Sequence, residues 1–269
     1  MPRRAFRIAY DGTPFSGFQR QPDVRTVEGT IFDALGALEV FEGEKPPGYA
    51  AAGRTDAGVS ALAQTVALDA PEWLTPRALN SRLPETVRSW AACDTPADFH
   101  ATHHASERTY TYHLYAPPAR VDDERAEAAL EALSGRHDVH NLTPDDWNTD
   151  RTLELEATRD GAYLVLTARA GGFCRELVRR LVSLVEAVAT GDTPLEKIDR
   201  VLAADPLPGH EGIAPAPPEP LVLTRVAYPD LSFETDPDAL ERARECFERQ
   251  RIAHTTGARV ARTIGTGLE

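Results

Sequence analysis

Apolar residues in this chain switch between a period of two and one of three to four in the order strand-helix-strand-strand-helix-strand, and that order appears twice. Such switching admits only a fold in which strands and helices alternate along the chain. Ala5-Phe6-Arg7-Ile8-Ala9-Tyr10 alternates as a strand and Asp11-Gly12 marks its turn. Thr26 is a good N-cap, and Val27, Ile31, Leu35 and Leu38 then give a helix one apolar face. Strands are expected near 49–52 and 64–70, a short helix after Pro76, and a strand over 87–94. The second half repeats this order. Residues 108–116 read as a strand and 122–133 as a helix with acids in its first turn, where the macrodipole favours them. Residues 153–158 and 162–168 alternate and meet at Asp160-Gly161, a hairpin signal. Residues 172–189 read as an amphipathic helix and 221–228 as a closing strand. The predicted fold is therefore α+β: two split-βαβ (ferredoxin-like) halves forming a central, mostly antiparallel sheet with helices packed on it. Residues 1–106 and 107–230 are the expected halves, and 231–269 a C-terminal extension. Within that extension, 236–252 read as a charged helix with Leu240, Ala243 and Phe247 on one side, and the basic tail beyond as mobile. Residues 205–220 hold six prolines and read as a loop.

Composition narrows the function classes. With 42% apolar residues in 269, a substantial core is expected. No apolar run reaches the roughly 18 residues of a membrane span, and the basic N-terminus leads directly into a strand, so the expected compartment is the cytoplasm. Cys93, Cys174 and Cys246 are far apart and form no Cys-x-x-Cys pair, which points to neither a disulfide framework nor a zinc site. Acids outnumber Lys plus Arg by 42 to 29, and only Lys45 and Lys197 are lysines. Such a balance ordinarily argues against a polyanionic partner. It also suits a high-salt cytoplasm, where at about 1 M salt the screening length falls to about 3 Å. Binding of an anionic polymer would then depend on close arginine–phosphate pairs, shape and stacking.

Three segments carry candidate chemistry. Gly53-Arg54-Thr55-Asp56-Ala57-Gly58 lies between two expected strands, and its small residues leave space beside Asp56. Arg54 could pair with that carboxylate or with a phosphate, and an arginine partner favours an ionised Asp able to act as nucleophile or base. An ordinary Asp-Ala-Gly turn with a local side-chain bond fits the same residues. His100, His103 and His104 lie near Asp98 and Glu107, but their spacing matches no defined metal-ligand pattern. Tyr110, Tyr112 and Leu114 share one strand face, either as core aromatics or with a tyrosine free to stack on a base. From Phe173 onward, Phe173, Leu177, Leu181, Leu184 and Val188 form an apolar arc with Arg175 and Arg179 beyond its edge. Periodicity alone reads those two arginines as solvated.

Taken together, these segments resemble the tRNA pseudouridine synthase A (TruA) family. Tyr10-Asp11-Gly12-Thr13-Pro14-Phe15-Ser16-Gly17-Phe18-Gln19 is similar to its N-terminal motif, and Thr26-Val27-Glu28-Gly29 to the helix start that follows. Ala52 to Val59 is similar to its catalytic loop almost residue for residue. Phe99-His100-Ala101 and Arg108-Thr109-Tyr110-Thr111-Tyr112 resemble the strand with the base-stacking tyrosine, and Phe173 to Val182 the helix with an active-site arginine. The matches keep their order over about residues 5–230. The resemblance implies isomerisation of uridine to pseudouridine in the anticodon arm of tRNA, at positions 38 to 40, with no metal and no cofactor. It implies Asp56 as the catalytic carboxylate and Tyr110 as the ring that stacks on the uracil and helps remove its C5 proton. It further implies Arg179 as the partner of the Asp, Arg54 as a basic residue lining the cleft, and a homodimer spanned by one tRNA. No membrane or protein partner is implied.

The chain departs from the family pattern at Ser60, Thr102, Ser183 and Glu219-Pro220-Leu221, none of them adjoining Asp56 or Tyr110 in sequence. Two other classes compete. A non-catalytic tRNA-binding module would not need Asp56, Tyr110 and Arg179 together; a hydrolase would use Asp56 or a histidine-held metal, and in its glycosidase form would need a spaced second carboxylate, while a metal assay separates the metal form. The acidic, lysine-poor composition generates a prediction of its own. Dialysis from molar salt into dilute buffer should lower the thermal unfolding midpoint and the far-UV dichroism signal, and full stability and activity in dilute buffer would contradict the high-salt reading.

Overall fold

Local signals in the sequence become caps and turns. Thr26, Thr75, Asp122 and Asp236 each accept a backbone N–H from the first turn of a helix, satisfying donors that a helix start otherwise leaves open. The computed structural model describes residues 1–268. The first half contains β1 (Arg3–Tyr10), α1 (Val27–Ala37), β2 (Ala50–Ala51), β3 (Ser60–Asp69), α2 (Pro76–Asn80) and β4 (Val87–Asp94). The second contains β5 (Glu107–Tyr115), α3 (Asp123–Leu133), β6 (Gly135–Asp138), β7 (Asp150–Asp160), β8 (Tyr163–Ala170), α4 (Leu177–Thr190), α5 (Lys197–Val201) and β9 (Leu221–Ala227). β10 (Glu234–Thr235) and α6 (Pro237–Thr266) follow.

The strands form one ten-stranded sheet in the order β10-β4-β1-β3-β9-β5-β8-β7-β6, with β2 also paired to β3. Within it, β4-β1-β3-β2 and β9-β5-β8-β7 have the same order, and every pairing inside those two sets is antiparallel. This is the split-βαβ arrangement, present twice. The sets meet where β3 and β9 run parallel, with Ser60 opposite Val222 and Ala61 opposite Leu223. A single apolar cluster extends across both sets, from Phe6, Ile8 and Val66 to Leu166, Leu181 and Val226. Full burial of such a side chain contributes about 1.5–3 kcal/mol.

Three expectations are corrected. The helix expected from residue 172 begins at Leu177. Residue 175 is held by tertiary bonds instead: its N–H donates to Asp145 Oδ2 at 2.8 Å, and its carbonyl accepts from Thr143 Oγ1 at 2.9 Å. Glu176 then takes a left-handed conformation, φ 61°, which ends the turn and starts the helix. The helix expected over 236–252 runs further, since α6 continues to Thr266 through the basic tail. Its first half packs Ala239, Ala243 and Cys246 inward, whereas residues 251–268 are exposed throughout. Finally, β6, α5 and β10 were not expected, because elements of two to five residues are too short to display a period.

Arg108 ties the halves together from a buried position. Its guanidinium donates to the carbonyl of Ala52 from Nε (3.0 Å) and Nη2 (2.7 Å), to that of Thr102 from Nη2 (2.7 Å), and to that of Gly171 from Nη1 (2.5 Å). Replacement by methionine keeps the volume but leaves three carbonyls without this donor. Arg108→Met is therefore expected to lose about 3 kcal/mol in denaturant unfolding, and a loss below about 1 kcal/mol would contradict the tie.

Candidate active site

The parallel seam determines where the site lies. Because β3 and β9 point the same way, the segments that enter them, 53–59 and 216–220, arrive side by side. The first carries Asp56, and its backbone is fastened on several sides. Gln64 Nε2 donates to the Gly53 carbonyl at 2.9 Å, and Phe18 N–H to that of Thr55 at 3.0 Å. Tyr10 and Thr55 share a buried hydroxyl–hydroxyl bond of 2.8 Å. Gly12 N–H donates to Ser60 Oγ at 3.0 Å. The N-terminal motif thus serves as the bed on which the carboxylate loop rests. Gly58 has φ +82°, and a Cβ there would lie 2.9 Å from Pro218, so the loop and the proline-rich wall meet at a residue without a side chain.

Arg179 reaches this loop from the first turns of α4. Its Nη1 donates to Asp56 Oδ2 at 3.2 Å, with the arginine side chain 14% and the carboxylate 31% exposed. Its Nε donates to the Ala216 carbonyl at 2.6 Å, and Ala216 N–H returns a bond to the Arg179 carbonyl at 3.1 Å. The proline-rich segment therefore aims the guanidinium. The charge-assisted pair places a counter-ion on one carboxylate oxygen.

Tyr110 comes from β5, where the register with β9 shifts between Thr109 and Tyr110. An irregularity of this kind re-aims a side chain. The ring is 9% exposed and meets Phe173 edge-on, centroids 5.1 Å apart. Burial pushes its hydroxyl up to about 12, the Arg108 cation opposing and the Asp56 carboxylate adding to the rise, so it is a neutral phenol at pH 7. Tyr112, two residues on, is core: its hydroxyl donates to the Pro217 carbonyl at 3.0 Å.

Asp56, Arg54, Tyr110 and Arg179 all line one cleft of about 1380 Å³. Arg54 is exposed there and has no ion pair among the described residues. Arg175 is exposed as expected, paired with Asp145 at 3.5 Å, but Arg179 is not. Two of the three histidines act as turn caps: His104 Nδ1 accepts from His100 N–H at 2.8 Å, and His100 Nδ1 from Thr102 N–H at 3.2 Å. No group of three or more His, Cys, Asp or Glu that could hold a metal ion occurs among the described residues. Sequence reasoning overlooked Lys45, which also lines the cleft; its rarity, one of two lysines, was the available signal. The cleft balances Lys45, Arg54, Arg175 and Arg179 against Glu28, Asp56, Asp145 and Glu176. The 42-to-29 acidic excess of the chain is thus absent where a ligand would sit.

Known proteins resemble this chain over nearly its whole length. The chain is 61% identical to the tRNA pseudouridine synthase A of Halobacterium salinarum over 262 residues, 97% of this chain and 98% of that protein. It is 58% identical to the protein of the same name in Haloarcula marismortui, over 98% of this chain and all of the other. This chain belongs to the tRNA pseudouridine synthase A family. A more distant member, from Thermococcus kodakarensis, is 36% identical over 94% of this chain and 96% of its own length. The family model for tRNA pseudouridine synthase matches residues 129–229. A chain from a crystal structure of a Cbf5-Nop10-Gar1 complex superposes with a TM-score of 0.33 at 12% identity, over 68% of this chain and 54% of that one.

The fastening of the carboxylate loop gives a sharp test. A Cβ on Gly12 would lie 2.1 Å from the Val59 carbonyl oxygen, a backbone atom that no side-chain rotation can move aside. Gly12→Ala should therefore displace the loop and cost several kcal/mol of stability. Gly36→Ala, on α1 with nothing within 4 Å of the new carbon, should be neutral or stabilising by about 0.5–1 kcal/mol. Equal denaturant midpoints for the two variants would contradict the packing described.

Proposed function

We propose that this protein converts uridine to pseudouridine in the anticodon arm of tRNA, at positions 38 to 40, with Asp56 as the reacting carboxylate. The observation that carries the reading is the Arg179–Asp56 pair, 3.2 Å long, in the same cleft as the Tyr110 ring. Isomerisation requires the N1–C1′ bond to break, the uracil to turn while held, and C5 to join C1′. Uridine and pseudouridine have the same atoms, so no co-reactant is consumed. One ionised carboxylate, a shielded pocket and a stacking ring meet that requirement. The target nucleotide must first leave its stack, which costs a few kcal/mol.

Each residue takes a part in this reading. Asp56 supplies the negative charge beside the sugar and base, and Arg179 orients it. Tyr110 stacks on the uracil, and its hydroxyl takes part in transfer of the C5 proton. Burial pushes its hydroxyl up to about 12, so it serves as a neutral relay and not as a standing base. Arg54, exposed at the cleft, binds phosphate. Residues 1–106 supply the carboxylate, 107–230 the tyrosine and arginine, and two copies of the chain hold one tRNA. A non-catalytic tRNA-binding module is less well supported, since binding alone gives no reason to aim an arginine at a half-shielded carboxylate.

Two substitutions test the assignment. Asp56→Ala should fold with an unchanged dichroism spectrum and form no pseudouridine in unmodified tRNA; substantial residual activity would remove Asp56 from the chemistry. Tyr110→Phe should bind tRNA within about threefold of wild type and turn over at least about 100-fold more slowly. A wild-type rate would leave Tyr110 its stacking part alone.

A further inference from the structure

Trp147 is 79% exposed, yet it lines the same cleft as Asp56 and Tyr110. Indole carries a large apolar face, and leaving it in water forgoes the burial that aromatic side chains otherwise gain. The other tryptophans differ. Trp90 donates its Nε1–H to the Leu62 carbonyl at 3.0 Å, and neither it nor Trp73 belongs to the cleft.

The loop that presents Trp147 is anchored on both sides. Upstream, Asp145 N–H donates to Thr143 Oγ1 at 3.1 Å, Thr143 Oγ1 donates to the Arg175 carbonyl, and Arg175 N–H donates to Asp145 Oδ2. Downstream, Arg151 Nη1 donates to the Asn148 carbonyl at 2.8 Å, and Thr149 Oγ1 to Asp138 Oδ1 at 2.6 Å. Asn148 has φ 52°, so the chain turns sharply just after the tryptophan. The Arg175 anchor belongs to the same turn, 173–176, that sets Phe173 against Tyr110. The backbone that carries the exposed indole is thereby tied to the segment beside the ring that would receive the flipped uracil.

We propose that Trp147 is a stacking platform for a second, unpaired nucleobase of the bound RNA, distinct from the base that enters against Tyr110. The proposal rests on the tRNA reading above. Flipping one nucleotide out of a loop leaves its neighbours without a stacking partner, and an aromatic face held at the cleft can replace it. Stacking of this kind tolerates any base, because each has a π-face. It also survives high salt, which weakens the charge-based part of RNA binding. The indole is thus suited to a chain with a net charge of −13.

The test separates this site from the chemistry. With unmodified tRNA, Trp147→Ala should raise KM about 10-fold and leave kcat within about twofold, and Trp147→Phe should bring KM back within about threefold of wild type. In a chain carrying Trp73→Phe and Trp90→Phe, Trp147 is the one remaining tryptophan, and its emission should be quenched to saturation by tRNA. A wild-type KM in Trp147→Ala, a loss confined to kcat, or emission unchanged at saturating tRNA would each overturn the proposal. The kinetic arm stands without the double replacement if that chain folds poorly. Should wild type form no pseudouridine while tRNA still quenches Trp147, the stacking site stands and the proposed reaction falls.

Discussion

The parallel contact between β3 and β9 is the constraint on which the rest of the molecule depends. Each half is an antiparallel split-βαβ set, and antiparallel neighbours bring a strand's entry beside its partner's exit. At the seam alone, among the described residues, two strands enter side by side. The segments leading into them belong to different halves, and each brings one component that the other lacks. The loop before β3 holds Asp56. The proline-rich stretch before β9 holds the carbonyl of Ala216, which fixes Arg179. Arg108 reinforces the seam from behind by bonding both halves.

This arrangement explains why a conformationally poor segment lies beside the site. Six prolines in 205–220 remove amide donors and restrict the backbone, so that wall keeps its shape without a strand or long helix. Arg179, gripped through both its guanidinium and its own carbonyl, loses little further freedom when a substrate arrives. A prearranged charge pair in a partly shielded cleft is more effective than a pair that must be assembled during the reaction. The balanced charge of the cleft removes a conflict that the whole-chain composition suggests. The acidic excess lies elsewhere on the surface, where at high ionic strength it acts only over a few ångströms.

Much of this was legible in the sequence. Alternation and caps located most of the longer elements, and the doubled order of those elements anticipated the two halves. Asp56, Arg54, Tyr110 and Arg179, singled out by motif, occupy one cleft. What escaped has physical causes. The period of α4 placed Arg179 off the apolar arc, which normally means solvent; its burial comes from a distant carbonyl at 216 that no local pattern encodes. The start of α4 was misplaced because tertiary bonds from Thr143 and Asp145 capture the backbone of Arg175. The continuation of α6 was missed because its basic composition reads as a loose tail, although no proline follows Pro237. Trp147 had no signature either, since a single aromatic in a polar loop has no period.

On the reading proposed here, a carboxylate clamped at this seam isomerises uridine in the anticodon arm. Chemical mapping of pseudouridine, nucleotide by nucleotide, in unmodified tRNA incubated with the wild-type protein in high salt tests it most directly. New pseudouridine is expected at one or more of positions 38, 39 and 40 and at no position outside the anticodon arm. A tRNA left unmodified, or modified only elsewhere, would contradict it.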